Sequence, residues 1–177
     1  MTTLIPRKAT AEDTPAVIDF YTQMIDEMEG TDFDVLWKHD VHPSHAFLRD
    51  AVEGGGAYIG IVEDGRIACA MIVDKKPAPG YENVPWPTGA TANEAGVLHV
   101  VATLPAYHGK GFARQLLQFV IDSSRAEGLR ALRLDTFVDN VRSHGLYEKM
   151  GFTNVGTYPI THADLGTVQL DMFELEL

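Results

Sequence analysis

The stretch Leu98-His99-Val100-Val101-Ala102-Thr103-Leu104-Pro105-Ala106-Tyr107-His108-Gly109-Lys110-Gly111-Phe112-Ala113 decides how this chain folds. Its first part is apolar and rich in β-branched residues, the pattern of a buried strand over Gly96 to Thr103. A glycine-punctuated turn follows. From Gly109 to Gly128 the residues Phe112, Leu116, Phe119 and Val120 recur at helical spacing, and Gly128 ends the run. A strand running through such a turn into a helix presents unpaired backbone N–H groups, and the positive end of a helix dipole, to an anion. Gly109 and Gly111 remove side chains where the backbone must approach a phosphate, and His108 and Lys110 add donors or charge. Two commoner phosphate binders are excluded. A P-loop needs Ser or Thr where Gly111 stands, and a dinucleotide fingerprint needs glycine where Arg114 stands.

Working outward, Ala131 to Phe137 reads as the next strand, Asn140 to Met150 as a helix, and Phe152 to Tyr158 and Thr167 to Leu177 as closing strands. In the last, the apolar parity shifts from Val168, Leu170 and Met172 to Phe173, Leu175 and Leu177, which predicts a β-bulge. Upstream, Ala57 to Glu63 and Arg66 to Asp74 are joined by Asp64-Gly65, the dipeptide that a type I′ hairpin turn favours. Between hairpin and central strand, Lys75 to Asn93 is a long loop with four prolines and the aromatic pair Tyr81 and Trp86; a loop of this length is functional or disordered. Leu4 to Lys8 reads as a strand. Thr10 or Thr14 then caps a helix carrying Val17, Ile18, Tyr21, Met24, Ile25 and Met28 up to Gly30, and a weaker helix covers Ser44 to Val52.

At 177 residues the chain suits one compact domain. Its net charge of −11 argues against nucleic acid and anionic membrane surfaces as partners. The acid is uneven: between Lys8 and Lys38 there are eight carboxylates and no basic residue. Such a segment is a solvated face, or a field that concentrates cations. The lone Cys69 excludes an internal disulfide, and neither a signal pattern nor a membrane-length apolar run is present, so a cytoplasmic protein is expected. His39, His42 and His45 lack the i, i+4 spacing of a helical metal pair and Pro43 interrupts them, so no metal site is expected and they read as a polar helix start.

The Leu98–Ala113 stretch resembles the acetyl-CoA-binding motif of the GNAT superfamily of N-acetyltransferases: an apolar strand, then Pro, then Arg/Gln-Gly-x-Gly-x-Gly/Ala. Asp139-Asn140 followed by Leu146-Tyr147-Glu148-Lys149-Met150-Gly151-Phe152 resembles that family's second hallmark, in the right order. His108 departs from the usual Arg or Gln, which would make its share of phosphate binding pH-dependent; Thr103 and Ser143 stand where Val and Ala are common. The resemblance implies an α/β (α+β) fold as a single domain over residues 1–177, with a mixed sheet of about six to seven strands flanked by about four helices. It also implies acetyl transfer from acetyl-CoA to a primary amine of a small molecule or peptide, by direct attack in a ternary complex.

On that resemblance the main chain at Val101 and Thr103 would pair with the pantetheine arm, with a backbone N–H near Val101 facing the thioester oxygen. His108, Gly109, Lys110, Gly111, Phe112 and Ala113 would hold the diphosphate, and Asn140 would bond the pantetheine arm. Tyr147 would donate to the departing thiolate, although a phenol near ~10 against a thiol near ~8.5 makes full transfer uphill by about 2 kcal/mol in water; otherwise its ring simply packs on the next strand. An ammonium acceptor must lose a proton before it attacks. Glu94 is the first candidate for that base, with His99 and His144 behind it. The acidic first half tilts the expected acceptor toward a cation, and Tyr81 and Trp86 either line the acceptor pocket or cover the core. The alternative reading is a non-catalytic acyl-CoA-binding or sensor module, and transfer to oxygen is a third. A homodimer through the late strands also follows from the resemblance.

Overall fold

The computed structural model describes residues 3–177. Its contacts group into two compact units, one running up to Val73 and resuming over His99–Val120, the other made of Asp74–Leu98 and Ile121–Leu177.

In the first unit, β1 (Ile5–Lys8) pairs antiparallel with β2 (Ala57–Ile61), which pairs antiparallel with β3 (Ile67–Asp74). The β2–β3 connection is not the type I′ turn that Asp64-Gly65 suggests. Only Gly65 has positive φ, +85°, and the bonds from Val62 N to Arg66 O (3.0 Å) and Gly65 N to Val62 O (2.8 Å) close a three-residue loop with glycine at its left-handed position. Helix α1 (Thr14–Met28) buries Val17, Phe20, Tyr21, Met24 and Met28. Thr14 is its first residue, and Thr10 stands at the N-cap of the short 3₁₀ turn over Ala11–Asp13 that precedes it. Asp13 occupies the N-cap of the helix, with its carboxylate clamped by both terminal nitrogens of Arg7 at 2.7 Å. Pro15 lies in the first helical turn, where its missing N–H costs nothing. Helix α2 (His45–Glu53) is capped by Ser44, whose hydroxyl accepts from Phe47 N at 3.1 Å.

In the second unit, the start of β4 (Ala95–Thr103) pairs in parallel with β5 (Ala131–Phe137) over three residues on each strand, Ala95–Val97 with Ala131–Arg133. Beyond β5 come β7 (Gly166–Glu176) and then β6 (Thr153–His162), both in antiparallel pairing. The seven strands thus form a mixed open sheet in the order β1-β2-β3-β4-β5-β7-β6, with α3 (Phe112–Ala126) and α4 (Val141–Lys149) completing four α-helices.

The bulge predicted in the last strand lies instead on its neighbour. β7 holds an unbroken register against β5, and Val155 of β6 is the extra residue between Asn154, opposite Phe173, and Gly156, opposite Met172. Leu170 through Leu175 are all buried. The parity shift therefore records a strand covered on both faces rather than a break within it. The long loop is ordered. Trp86 Nε1 donates to Tyr81 O at 2.9 Å, and Thr161 N of β6 donates to Pro79 O at 2.9 Å. Gly80 is required there, since a Cβ would come within 2.5 Å of Pro159 O and its φ is +113°. Tyr81, Val84, Val97, Ile160, Leu170 and Met172 form the apolar cluster beneath the loop.

Candidate active site

After Thr103 the chain makes a 3₁₀ turn at Pro105–Tyr107 and enters α3 at Phe112. Gly109 and Gly111 have φ of +74° and +75°, and an added Cβ would meet nothing within 4 Å at either. The glycines are therefore dictated by backbone conformation and not by packing. The first helical bond in this turn runs from Gln115 N to Gly111 O at 3.1 Å, so the N–H groups of Phe112, Ala113 and Arg114 precede the helical ladder and point out of its positive end. His108 N and Lys110 N already bond Pro105 O and Tyr107 O, at 3.1 and 3.4 Å. The donors for an anion thus concentrate at the start of the helix.

The His108 ring turns back on the strand. Its Nε2 lies 2.9 Å from Thr103 O; a carbonyl can only accept, so this nitrogen carries the proton and clasps the two ends of the loop. Lys110 lies exposed, with Nζ 5.0 Å from the centre of the Tyr107 ring.

Within β4, Val100 has φ of +47°, a strained conformation for a β-branched residue. Its carbonyl accepts a 2.8 Å bond from the buried hydroxyl of Tyr21 on α1. Val101 and Thr103 are half-buried while Val100 and Ala102 are buried. The β4–β5 ladder stops at Val97, so it makes no claim on the backbone groups at Val101 and Thr103. Neither Val100 nor Tyr21 stands out as a site residue in the sequence. Nothing in a Val-Val pair marks a turn, and the one signal is a hydroxyl on a buried helix face that must find an acceptor.

Asn140 is the N-cap of α4, its side chain accepting from Ser143 N at 3.2 Å. Tyr147 is buried against the rings of Phe152 and Phe173, with centroids 5.7 and 5.8 Å away. Burial first, and the Asp135 carboxylate second, push its phenol well above the ordinary value. Tyr147 therefore keeps its proton, and its environment widens the gap to a thiol rather than closing it.

The base candidates each have their own partners. Glu94 accepts from Thr91 N and Oγ1 at 2.8 and 2.9 Å and pairs with Arg130 at 3.2 Å. The Thr91 bonds, with Arg130 adding, hold its carboxyl below the usual range, which weakens it as a proton acceptor. His144 Nε2 faces Phe137 O at 3.2 Å and Asp171 at 3.6 Å. His99 sits edge-on to Phe47 at 5.9 Å.

A different titratable group is assembled on β5 and β6. Asp135 takes a 2.9 Å bond from Tyr81 on Oδ2, while its Oδ1 lies 3.5 Å from His162 Nε2. These three residues are separated by more than twenty positions at each step, so spacing gives no sign of them.

Tyr81 and Trp86 both line a cavity of about 380 Å³ and pack on the core beneath it. Arg133 enters the same cavity with its guanidinium 4.5 Å from the centre of the Trp86 ring, its Nε 3.0 Å from Glu174 and its Nη2 bonding Ala90 O at 2.7 Å. Cys69 is fully buried, and burial pushes its thiol up to about 12, as an inert core group requires. His39 pairs with Asp26 at 2.8 Å, His45 faces Asp40 at 3.7 Å and His42 packs edge-on to Trp37; each has its own neighbours, and among the described residues no three ligand-type side chains converge. No helix among them is long and apolar enough to cross a membrane.

Residues 11–152 match the family model described as acetyltransferase (GNAT) family. The chain is 30% identical to an uncharacterized protein of Mycobacterium leprae over 85% of its own length, and spans only 37% of that relative. It is 27% identical to the N-alpha-acetyltransferase RimI of Mycobacterium tuberculosis, over 75% of this chain and 77% of that one. Its fold is similar to that of yncA from Salmonella typhimurium, a structure solved with its cofactor acetyl-CoA, at a TM-score of 0.69 and 20% identity over 99% and 94% of the two chains. With both glycine turn and capped α4 in place within the matched span, this chain belongs to the GNAT family of acetyltransferases.

Proposed function

We propose that the chain transfers an acetyl group from acetyl-CoA to a primary amine of a small molecule or peptide, by direct attack in a ternary complex. The observation that carries this reading is the turn at Gly109 and Gly111, whose positive φ values aim the first N–H groups of α3 away from the helix. These residues fit a diphosphate: donors converge, no side chain fills the approach, and Lys110 stands exposed beside them. His108 to Ala113 hold that group, with His108 acting as the loop's clasp. The main chain at Val101 and Thr103 takes the pantetheine arm as an added strand, and Asn140 contributes what its capping bond leaves free. Acetyl-CoA supplies an activated thioester.

Tyr147 holds its proton and donates a hydrogen bond where negative charge gathers on sulfur. The acceptor is a cation on this reading. Of the eight carboxylates between Lys8 and Lys38, Asp13 and Asp26 have a cationic or titratable partner, Asp34 serves its own turn through Gly30 N and Leu36 N, and most of the rest face solvent. A homodimer would use the ten-residue β6, which stands at the end of the strand order.

The test follows thiol release from acetyl-CoA across polyamines, aminoglycosides, amino acids and peptides, with wild type beside Tyr147→Phe. The reading expects an amine to drive release, and the variant to lose 10-fold or more in rate, on the order of what a positioned donor supplies, while calorimetry shows unchanged acetyl-CoA affinity. An acceptor-independent binder, with no turnover of any amine, would instead mark a non-catalytic acyl-CoA module.

A further inference from the structure

Glu94, His99 and His144 each carry contacts that compete with the proton the acceptor ammonium must lose. Glu94 is committed to its turn and to Arg130. His144 has a backbone carbonyl against its Nε2, and His99 lies beside the Phe47 ring. His144 and His162 each face a carboxylate that is itself anchored. His144 stands before Asp171, which accepts from Thr157, and the same nitrogen also faces Phe137 O. His162 stands before Asp135 at the far end of β6. There the geometry assigns a role: His162 accepts the proton of the acceptor amine through Nδ1, with Asp135 and Tyr81 as its positioning residues. This inference rests on the acetyl-transfer reading above and deepens it.

The arrangement is built from the inside out. Tyr81 is buried, and its hydroxyl donates to Asp135 Oδ2 at 2.9 Å. Burial and the Asp135 charge keep that phenol protonated, so toward the carboxylate it donates. Asp135 is thereby fixed with its second oxygen turned to His162 Nε2 at 3.5 Å. A carboxylate facing Nε2 selects the tautomer protonated there and leaves the lone pair on Nδ1. The His162 side chain is 22% exposed and that of Asp135 18%. The imidazole is thus held by a carboxylate and still partly exposed, as a base serving an acceptor from solvent needs.

Among the described residues, the groups that act on His162 are Asp135 from β5 and Asp164 from the turn that follows β6, with the Tyr81 hydroxyl behind Asp135. Asp135 first, with Asp164 adding, holds the His162 imidazole above its ordinary value against the opposing effect of burial. The same Asp135 charge acts on Tyr147. One carboxylate therefore strengthens the proposed base and keeps the proposed donor protonated.

The protons balance. The acceptor ammonium gives one proton to His162 Nδ1, and the free amine then forms the N–C bond at the thioester carbonyl as the C–S bond breaks. A second proton leaves that nitrogen and ends on sulfur, with the Tyr147 hydroxyl hydrogen-bonded there. The imidazolium returns its proton to water.

Two measurements test this on the full chain. In an NMR titration of the histidine rings, His162 in wild type should lose its proton with a midpoint above 6.5, the ordinary value, and Asp135→Asn should move that midpoint down; coincident midpoints in the two proteins would overturn the pairing. In pH profiles of kcat/KM, with the amine found by the acceptor panel, wild type should show an acid limb at the His162 midpoint. His162→Gln should lose about 100-fold together with that limb, Asp135→Asn should shift the limb to lower pH, and 4-methylimidazole should restore rate to His162→Ala. A His162→Gln enzyme with wild-type rate and limb overturns the assignment and leaves acetyl transfer standing. If wild type fails to bind acetyl-CoA in calorimetry, the parent reading falls and this one falls with it.

Discussion

Valine is a costly residue for a left-handed turn, yet Val100 adopts one in the middle of β4. Strain of this kind is worth about 1–3 kcal/mol and persists only where neighbours enforce it. The enforcing contact is the Tyr21 hydroxyl on the Val100 carbonyl. Tyr21→Phe should leave that carbonyl buried without its donor and lower stability by about 1–3 kcal/mol in urea unfolding. It should also weaken acetyl-CoA binding in calorimetry, although Tyr21 is not placed in contact with the cofactor. At this scale the sequence is legible only where chemistry and conformation coincide. Gly109 and Gly111 announce themselves because few other residues tolerate their φ. Val100 does not, because its conformation is imposed by a partner 79 positions away. The same holds for Asp135 and His162, whose pairing exists only once β5, β7 and β6 have taken their register.

Elements are more legible than residues, since a helix or strand is specified by many side chains at once. The hairpin, the strand into the glycine turn, and the helix from Asn140 follow from periodicity and punctuation. Their ends do not, because caps depend on single contacts. The start of α1 is an example: a 3₁₀ turn with Thr10 at its N-cap runs into the helix, and Asp13, clamped by Arg7 of β1, stands at the junction. The Asp13 carboxyl is held far below the ordinary range, chiefly by the Arg7 hydrogen bonds. A group lowered in the folded state contributes stability above its unfolded value and loses it as pH falls. The stability of wild type over Asp13→Asn should therefore be full near neutrality and shrink below about pH 4, as read by thermal unfolding at several pH values. The long loop is set by an equally local requirement. Gly80→Ala would push a methyl carbon against Pro159 O at a positive φ. It should cost about 1–3 kcal/mol and raise hydrogen exchange across 77–90, by more than Gly89→Ala, which strains its backbone at φ +60° but meets no neighbour.

For the whole molecule, the order of elements and the two glycine-marked hallmarks suffice to name the family, because they lie within one matched span of residues 11–152. The acceptor is a different matter, since it is chosen by side chains brought together from distant parts of the chain. Net charge gives a test at this scale. A chain of charge −11 should draw cationic acceptors from a distance, and salt should screen that attraction. The KM for a polyamine should therefore rise between 0.05 and 0.5 M salt (~3-fold or more), while that for a neutral amino-acid amide changes little; equal responses would remove charge from the account of specificity. The buried Cys69 has a practical corollary. With its thiol pushed up to about 12, only on the order of one protein sulfur in ten thousand is a thiolate at pH 8, and the rest are walled off by the core. A dye that colours free thiols will then see the released coenzyme and not the enzyme. Any slow colour from the enzyme alone becomes a clock for its unfolding, counting opened chains against a silent folded background.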